Sequence, residues 1–198
     1  MKKRILASVL VLVMLICLLP VTAMAGENEG WTVDETEKTV TIYDAKGLRA
    51  WADSITHGTG ADSNYGCTRY NGFTVSIENN IDLSGADDWN SIIGLGGEIT
   101  IDGKGHTISN MRIKEQKNSK DGKYTFLGFI GHIGYGTRLT IQNITFENAH
   151  VQDPGGDSQY SWAAVVVGHG PMDQFYNGYD SAKKEWTAPG DNATCTFK

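Results

Sequence analysis

The sequence predicts an all-β protein built from stacked coils of chain, a solenoid. Two stretches share one pattern, since Thr107-Ile108-Ser109-Asn110-Met111-Arg112-Ile113 matches Thr140-Ile141-Gln142-Asn143-Ile144-Thr145-Phe146. Each leads to a second pattern, Phe129-Ile130-Gly131-His132 and then Val166-Val167-Gly168-His169. Repeats of roughly 20 to 50 residues are typical of solenoids, whose repeats bury apolar faces only against each other. The 24 glycines among many short β-like runs suit frequent tight turns between strands.

Residues 1–25 form a predicted export signal rather than part of the fold. Three basic residues open the chain, Ile5–Leu19 is apolar, Pro20 interrupts it, and Ala23-Met24-Ala25 gives a small-x-small cleavage pattern. An anchor helix that stays uncut is the alternative. We therefore predict a secreted or cell-surface bacterial protein with no membrane contact after cleavage.

The chain without this leader is acidic. The leader removes three of the 17 Lys and Arg residues and none of the 23 Asp and Glu residues, which leaves 14 against 23 and a net charge of −9. Nucleic acids and anionic membranes need clustered cations, so this charge argues against both as partners. It also disfavours polyanionic glycans, although a bound Ca²⁺ would reverse the local sign. We predict no cofactor, with Ca²⁺ as the possible exception.

Residues 26–72 are predicted to cap the start of the stack. Trp31-Thr32-Val33 and Thr39–Tyr43 read as two strands around the charged turn Asp34–Lys38. Asp44 is a suitable N-cap for a helix, whose apolar face is Leu48, Trp51, Ala52 and Ile55. Such a helix would cover an open strand edge that otherwise recruits other chains. In an exported protein, Cys67 and Cys195 could form a disulfide or remain two thiols.

Each repeat changes direction at an asparagine, Asn110 or Asn143. Asparagine tolerates left-handed backbone angles, and its amide bonds locally. We therefore predict that both are structural bend residues, stacked one above the other about 4.8 Å apart. The apolar residues around them are predicted to face one interior: Ile108, Met111, Ile113, Ile141, Ile144 and Phe146.

A longer series of motifs resembles a known family. In order, the chain carries Asn80-Ile81-Asp82-Leu83-Ser84-Gly85, Asp88-Trp89, Ile93-Gly94 and Ile101-Asp102-Gly103-Lys104-Gly105-His106-Thr107-Ile108. This series resembles the opening of pectin-lyase-like right-handed parallel β-helix proteins, and more narrowly exported, wall-associated bacterial proteins with GLUG-like repeats. The resemblance implies a right-handed parallel β-helix over residues 73–170, followed by a C-terminal cap or a truncated continuation over residues 171–198. Such proteins include lyases, hydrolases and adhesins, so the fold does not determine the activity.

The ionisable residues form no recognisable catalytic set. The resemblance implies that lyases of this fold use a basic residue and Ca²⁺ held by acidic residues, and that related hydrolases use paired Asp. The acidic candidates do not recur in pairs at matching repeat positions; they are Asp82, Asp87, Asp88, Asp102, Glu147, Asp153 and Asp157. His132 and His169 do recur, and we interpret them as a polar ladder because no third metal ligand stands at a fixed offset. No catalytic or metal-binding residue is predicted.

Two insertions, Lys114–Lys123 and Glu147–Tyr160, leave the coils at equivalent points and are predicted to lie side by side. Loops on rigid scaffolds concentrate binding residues, and aromatic rings there could stack on sugars. The predicted ligand-binding residues are Tyr124, Tyr160, Trp162, Asp153 and Asp157. Trp162 alternatively belongs to the core, because it lies in a predicted strand.

These observations favour a non-catalytic scaffold that binds carbohydrate or host extracellular matrix, or that acts as a wall-associated spacer. The alternative is a polysaccharide lyase or glycoside hydrolase, with its catalytic coils in a longer protein.

Overall fold

The structure is a computed structural model, which describes residues 30–58, 66–85, 88–114, 124–152, 160–170, 179–180, 185–186 and 194–198. The predicted leader lies outside these residues. Within them the chain forms eighteen strands and one helix, so the predicted all-β class is confirmed. Over the same residues, no helix has the length and apolarity needed to span a membrane.

The N-terminal hairpin and helix form as predicted. β1 (Trp31–Asp34) pairs antiparallel with β2 (Thr39–Ile42). The helix α1 (Ala45–Thr56) follows, and the Asp44 carboxylate caps it by accepting a 2.8 Å hydrogen bond from the Gly47 amide. The apolar face of α1 is buried and packs mainly on β5 (Ile92–Leu95), which is the edge strand of the sheet β5-β10-β15.

The remaining strands are short and are distributed over several small sheets. They are β3 (Phe73–Ile77), β4 (Ile81–Asp82), β5 (Ile92–Leu95), β6 (Glu98–Asp102), β7 (Thr107–Ser109), β8 (Arg112–Ile113), β9 (Tyr124–Leu127), β10 (Ile130–Ile133), β11 (Arg138–Gln142), β12 (Thr145–Glu147), β13 (His150–Val151), β14 (Tyr160–Ala163), β15 (Val167–His169), β16 (Tyr179–Asp180), β17 (Glu185–Trp186) and β18 (Thr194–Phe197). The largest sheet has the order β1-β2-β3-β6-β11-β18, and β16 pairs antiparallel with β17.

The chain passes through five of these sheets in the same order more than once, and we call one such passage a circuit. β6, β7, β8, β9 and β10 each belong to a different sheet, and β11 to β15 pair with them one for one, all in parallel. β3, β4 and β5 pair in the same way with β6, β7 and β10, so the first circuit has fewer strands. Successive circuits are therefore joined by parallel strand pairing.

One apolar core runs through the circuits, because paired positions carry the same kind of side chain. In the largest sheet Val40, Val75, Ile101 and Ile141 are buried cross-strand neighbours. Of the predicted inward-facing residues, Ile108, Met111, Ile113 and Ile141 are buried, while Ile144 and Phe146 are half-buried and pack against the core.

The predicted alignment of the two seven-residue copies is wrong, although both asparagines are bend residues. Asn110 and Asn143 have φ of 57° and 52°, in the left-handed region. However, β7 pairs with β12, so Asn110 lies beside Asn148, and the Asn148 Nδ2 donates a 2.6 Å hydrogen bond to the Asn110 Oδ1. Asn143 follows β11 and donates instead to Asp102. The two copies share a sequence because both lead into a left-handed bend, but they occupy different corners of the circuit.

The two insertions leave and rejoin the circuits at neighbouring positions, as predicted. The first lies between β8 and β9 and the second between β13 and β14, and these strands pair with each other. The predicted start of the second insertion at Glu147 is wrong, because β12 ends at Glu147 and β13 follows. Residues 115–123 and 153–159 lie outside the described residues.

Cys67 is a buried, free thiol. Its backbone bridges to Leu95 of β5, and its amide donates to the Gly94 carbonyl. Of the two possibilities for Cys67 and Cys195, the structure therefore shows the unpaired thiol at Cys67. Cys195 lies in β18, opposite Leu139 of β11.

Candidate functional site

Four half-buried rings meet on the outside of the circuits, and we call this set the aromatic corner. Phe126 lies in β9 and Trp162 lies opposite it in β14, while His132 and His169 occupy paired positions in β10 and β15. The register and the stacked rings of the two histidines confirm the ladder that the repeat predicted.

Strand alternation explains why Phe126, and with it the paired Trp162, lies outside the core. Leu127, next to Phe126, and Ile133, next to His132, are fully or almost fully buried. Neighbouring residues of a strand face opposite sides, so Phe126 lies on the outer side. His132 is half-buried at a register irregularity of β10, between the buried Ile130 and Ile133. Only Gly128 and Phe129 separate β9 from β10, and the Phe126 and His132 ring centroids are 5.0 Å apart. The turn between these two strands therefore brings the two rings into contact.

The glycine before each histidine makes this close angle possible. A Cβ on Gly131 would lie 2.6 Å from the carbonyl oxygen of Phe126, and one on Gly168 would lie 2.5 Å from the carbonyl oxygen of Leu127. Only a residue without Cβ allows the two backbones to approach so closely. The repeated Gly-His pair is thus explained by the corner, which needs glycine at the contact and places a histidine just beyond it.

The rings contact each other in a continuous cluster. Phe126 stacks on Trp162 with centroids 5.3 Å apart and an interplanar angle of 21°. Trp162 contacts His169 at 4.7 Å, and His169 stacks on His132 at 5.4 Å and 13°. These separations are within the range of favourable aromatic contacts. The rings therefore hold each other in place without a ligand.

The two imidazoles are neutral at pH 7. Burial, and then the neighbouring His169, lower the pKa of His132 to about 4, and burial also lowers the pKa of His169. A neutral imidazole offers one N–H donor and one acceptor nitrogen. The His169 Nδ1 is buried and has no hydrogen-bond partner among the described residues. The corner thus combines apolar ring faces with uncharged hydrogen-bonding groups.

The structure brings only part of the predicted ligand-binding set together. Trp162 is in the aromatic corner, half-buried on its outer side rather than in the core. Tyr124 and Tyr160 pair with each other two residues before Phe126 and Trp162, and the placement of their side chains is outside what the structure describes. Asp153 and Asp157 lie outside the described residues.

Sequence reasoning missed Phe126, although a signal for it exists. Tyr124-Thr125-Phe126 and Tyr160-Ser161-Trp162 both read aromatic, hydroxyl, aromatic, and these segments pair in register. Two residues of one strand separated by a single residue share a face. The recurrence of this triplet therefore marks an aromatic column on paired strands.

Two of the acidic candidates that the structure describes, Asp82 and Asp102, form structural hydrogen bonds. Hydrogen bonds from Asn110 and from the amide and hydroxyl of Ser84 lower the pKa of Asp82. Burial raises the pKa of Asp102, but hydrogen bonds from the Lys104 amide, Asn143 and Gln142 outweigh it and lower the pKa. Among the described residues, no three His, Cys, Asp or Glu side chains group closely enough to hold a metal ion.

The other two acidic candidates in the described part of the chain are Asp88 and Glu147. The Asp88 carboxylate forms a 3.2 Å ion pair with Lys114. Glu147 is exposed at the end of β12, opposite Ser109. Asp87 lies outside the described residues.

Comparison with known proteins returns no relative: no family model, no curated protein and no solved structure matches the chain.

Proposed function

We propose that the chain is a secreted or cell-surface right-handed parallel β-helix scaffold that binds carbohydrate without catalysing a reaction. The aromatic corner is its binding surface in this proposal. The leader pattern and the resemblance to wall-associated bacterial proteins support the location and the fold type. The parallel pairing of successive circuits supports the fold type independently of that resemblance.

One observation carries the binding proposal, namely a preformed ring cluster that is half-buried and uncharged. The C–H face of a pyranose is apolar and packs on an aromatic ring, while its hydroxyl groups require hydrogen-bonding partners at the edge of that contact. Phe126 and Trp162 supply ring faces, and neutral His132 and His169 supply donors and acceptors. A neutral sugar therefore fits this surface better than a uronate polymer, which the net charge of −9 repels.

The positions of the carboxylates support a binding function over hydrolysis. Glycoside hydrolases need two carboxyl groups that face each other across the scissile glycosidic bond. Asp82 and Asp102 instead accept hydrogen bonds from asparagine side chains at two different bends, and Asp88 is paired with Lys114.

The binding test compares ring variants by calorimetry against neutral and uronate oligosaccharides. We expect the Trp162→Ala variant to bind neutral oligosaccharide about tenfold more weakly, because it loses a stacked face worth roughly 0.5–1.5 kcal/mol beyond its area. Trp162→Phe should restore most of the affinity. Tyr43→Ala is the matched control, because Tyr43 is an exposed aromatic residue outside the corner. Unchanged affinity in a Phe126→Ala, Trp162→Ala double variant would rule out the corner as the site.

The enzymatic alternative has its own assay. The purified 26–198 chain is incubated with pectate, alginate and neutral glycans, with and without Ca²⁺. We expect no turnover. Unsaturated ends that absorb in the ultraviolet, or reducing ends above the blank, would replace the binding proposal with a lyase or hydrolase.

A further inference from the structure

A cleft lies where the circuits pass from β7 and β12 into β8 and β13. It has a volume of about 400 Å³ and is open to solvent. Its lining consists of polar and basic residues, which are Ser84, Asn110, Arg112, Asn148 and His150. These residues are separate from the aromatic corner, so the cleft needs its own explanation.

Two basic side chains stand next to each other in this cleft. Arg112 of β8 and His150 of β13 are direct cross-strand neighbours, and both are exposed. Neither forms an ion pair with any described residue. The exposed Arg138 differs, because its neighbour in β6 is Glu98. The Cβ atoms of directly paired residues lie about 5 Å apart, so one small group of a ligand can contact both side chains.

A chain of hydrogen-bonded carboxamides also lines the cleft. The Asn148 Nδ2 donates to Asn110, and the Asn110 Nδ2 donates to Asp82 at 2.9 Å. Asp82 also accepts hydrogen bonds from the amide and the hydroxyl of Ser84, so three hydrogen-bond donors stabilise its negative charge. A carboxamide nitrogen has two protons, and Asn148 uses one of them in this chain. The cleft therefore presents fixed polar groups of the kind that bind hydroxyls.

We propose that this cleft binds a small acidic saccharide, with Arg112 and His150 on its carboxylate or sulfate group. The planar guanidinium of arginine matches such groups with two parallel hydrogen bonds. Asn148 and Ser84 then face the sugar hydroxyls. The net charge of −9 opposes polyanions at long range, so the ligand carries one acidic group rather than many.

The test titrates the purified chain with four probes at low ionic strength, while the His150 ring signals are followed by NMR. The probes are glucuronate, glucose 6-sulfate, glucose and inorganic sulfate. We expect the two acidic sugars to bind, and glucose and inorganic sulfate to bind at least tenfold more weakly. Equal binding of inorganic sulfate would reduce the cleft to a simple anion site, and equal binding of glucose would remove the role of charge; either result overturns the proposal.

Variants then assign the site. Arg112→Ala should weaken binding of acidic sugars at least tenfold, Arg112→Lys by less, and Arg138→Ala not at all. Wild-type affinity in Arg112→Ala would contradict the proposal. Neutral-glycan binding is measured in the same variants and should be unchanged, so a failure of this cleft is distinguished from a failure of the aromatic corner.

Discussion

Two buried tryptophans differ in what happens to the indole N–H, and this difference predicts the stability of their phenylalanine variants. Trp51 in α1 and Trp89 before β5 are 0 % and 1 % exposed. The Trp89 Nε1 donates a 3.0 Å hydrogen bond to the Phe129 carbonyl. The Trp51 Nε1 is buried without an acceptor among the described residues. Tryptophan to phenylalanine removes the N–H and the same ring atoms at both positions.

The two changes therefore have different costs. At Trp89 the substitution removes a hydrogen bond worth about 0.5–1.5 kcal/mol in addition to packing. At Trp51 it removes a donor whose burial costs about 1–3 kcal/mol, which offsets part of the lost packing. We expect Trp89→Phe to lower the free energy of unfolding by about 3 kcal/mol more than Trp51→Phe, the sum of the midpoints of these two ranges.

Urea unfolding monitored by circular dichroism measures this difference, provided that the slope with urea is the same in all variants. Trp51→Ala is the control for burial and should lose about 3–5 kcal/mol. A loss below about 1 kcal/mol, the size of ordinary surface changes, would show that α1 is not packed on the first circuit. Equal losses for the two phenylalanine variants would refute the assignment of an unsatisfied donor at Trp51.

Two further predictions concern the histidine ladder and the register. The pKa of folded His132 is about 4 against an ordinary 6.5, so the unfolded chain binds this proton first, and stability should fall by up to about 3 kcal/mol as the pH drops from 6.5 to 4. His132→Gln should make the urea midpoint depend less steeply on pH in that window. A pH dependence as steep as that of the wild type would contradict the lowered pKa of His132. In double-mutant cycles, Asn110→Gly with Asn148→Gly should show a coupling energy of about 0.5–1.5 kcal/mol, while Asn110→Gly with Asn143→Gly should show none. A coupling energy between Asn110 and Asn143 would instead support the alignment that the sequence predicted.

The N-terminal hairpin and helix were predictable because their signals are local. Asp44 directly precedes an apolar face at helical spacing, and both the cap and the buried face appear in the structure. Strand alternation around the charged turn after Asp34 is equally local. Neither element depends on distant residues for its type, so the sequence window that contains it also determines it.

The register of the circuits was not predictable from the repeated pattern. Thr140 pairs with Thr100 and Thr107 pairs with Thr145. Between β6 and β7 the chain includes Lys104 and Gly105, both with positive φ, in a turn longer than the one between β11 and β12. Turns and insertions change length at little free-energy cost, so equal motifs can fall at different corners. A short pattern identifies a bend but not its place in a circuit.

The binding surface was partly predictable for a related reason. Trp162 stood out because it flanks an insertion, and the histidines stood out because they recur. Phe126 becomes part of the surface only when the turn after β9 brings it within 5.0 Å of His132 and His169. That approach depends on backbone contact at Gly131 and Gly168. Sequence spacing does not report which faces a tight turn brings together.

A structural role for the histidine ladder and a role in binding are compatible. The Gly-His pair recurs because the angle between β9 and β10 requires a residue without Cβ, and this holds with or without a ligand. The same angle makes the rings contact each other, so their positions are fixed before a sugar arrives. Ordering a side chain on binding costs about 0.5–1.5 kcal/mol, and rings that are already ordered avoid this cost. A ladder that stabilises the fold is therefore also a suitable place for a binding surface.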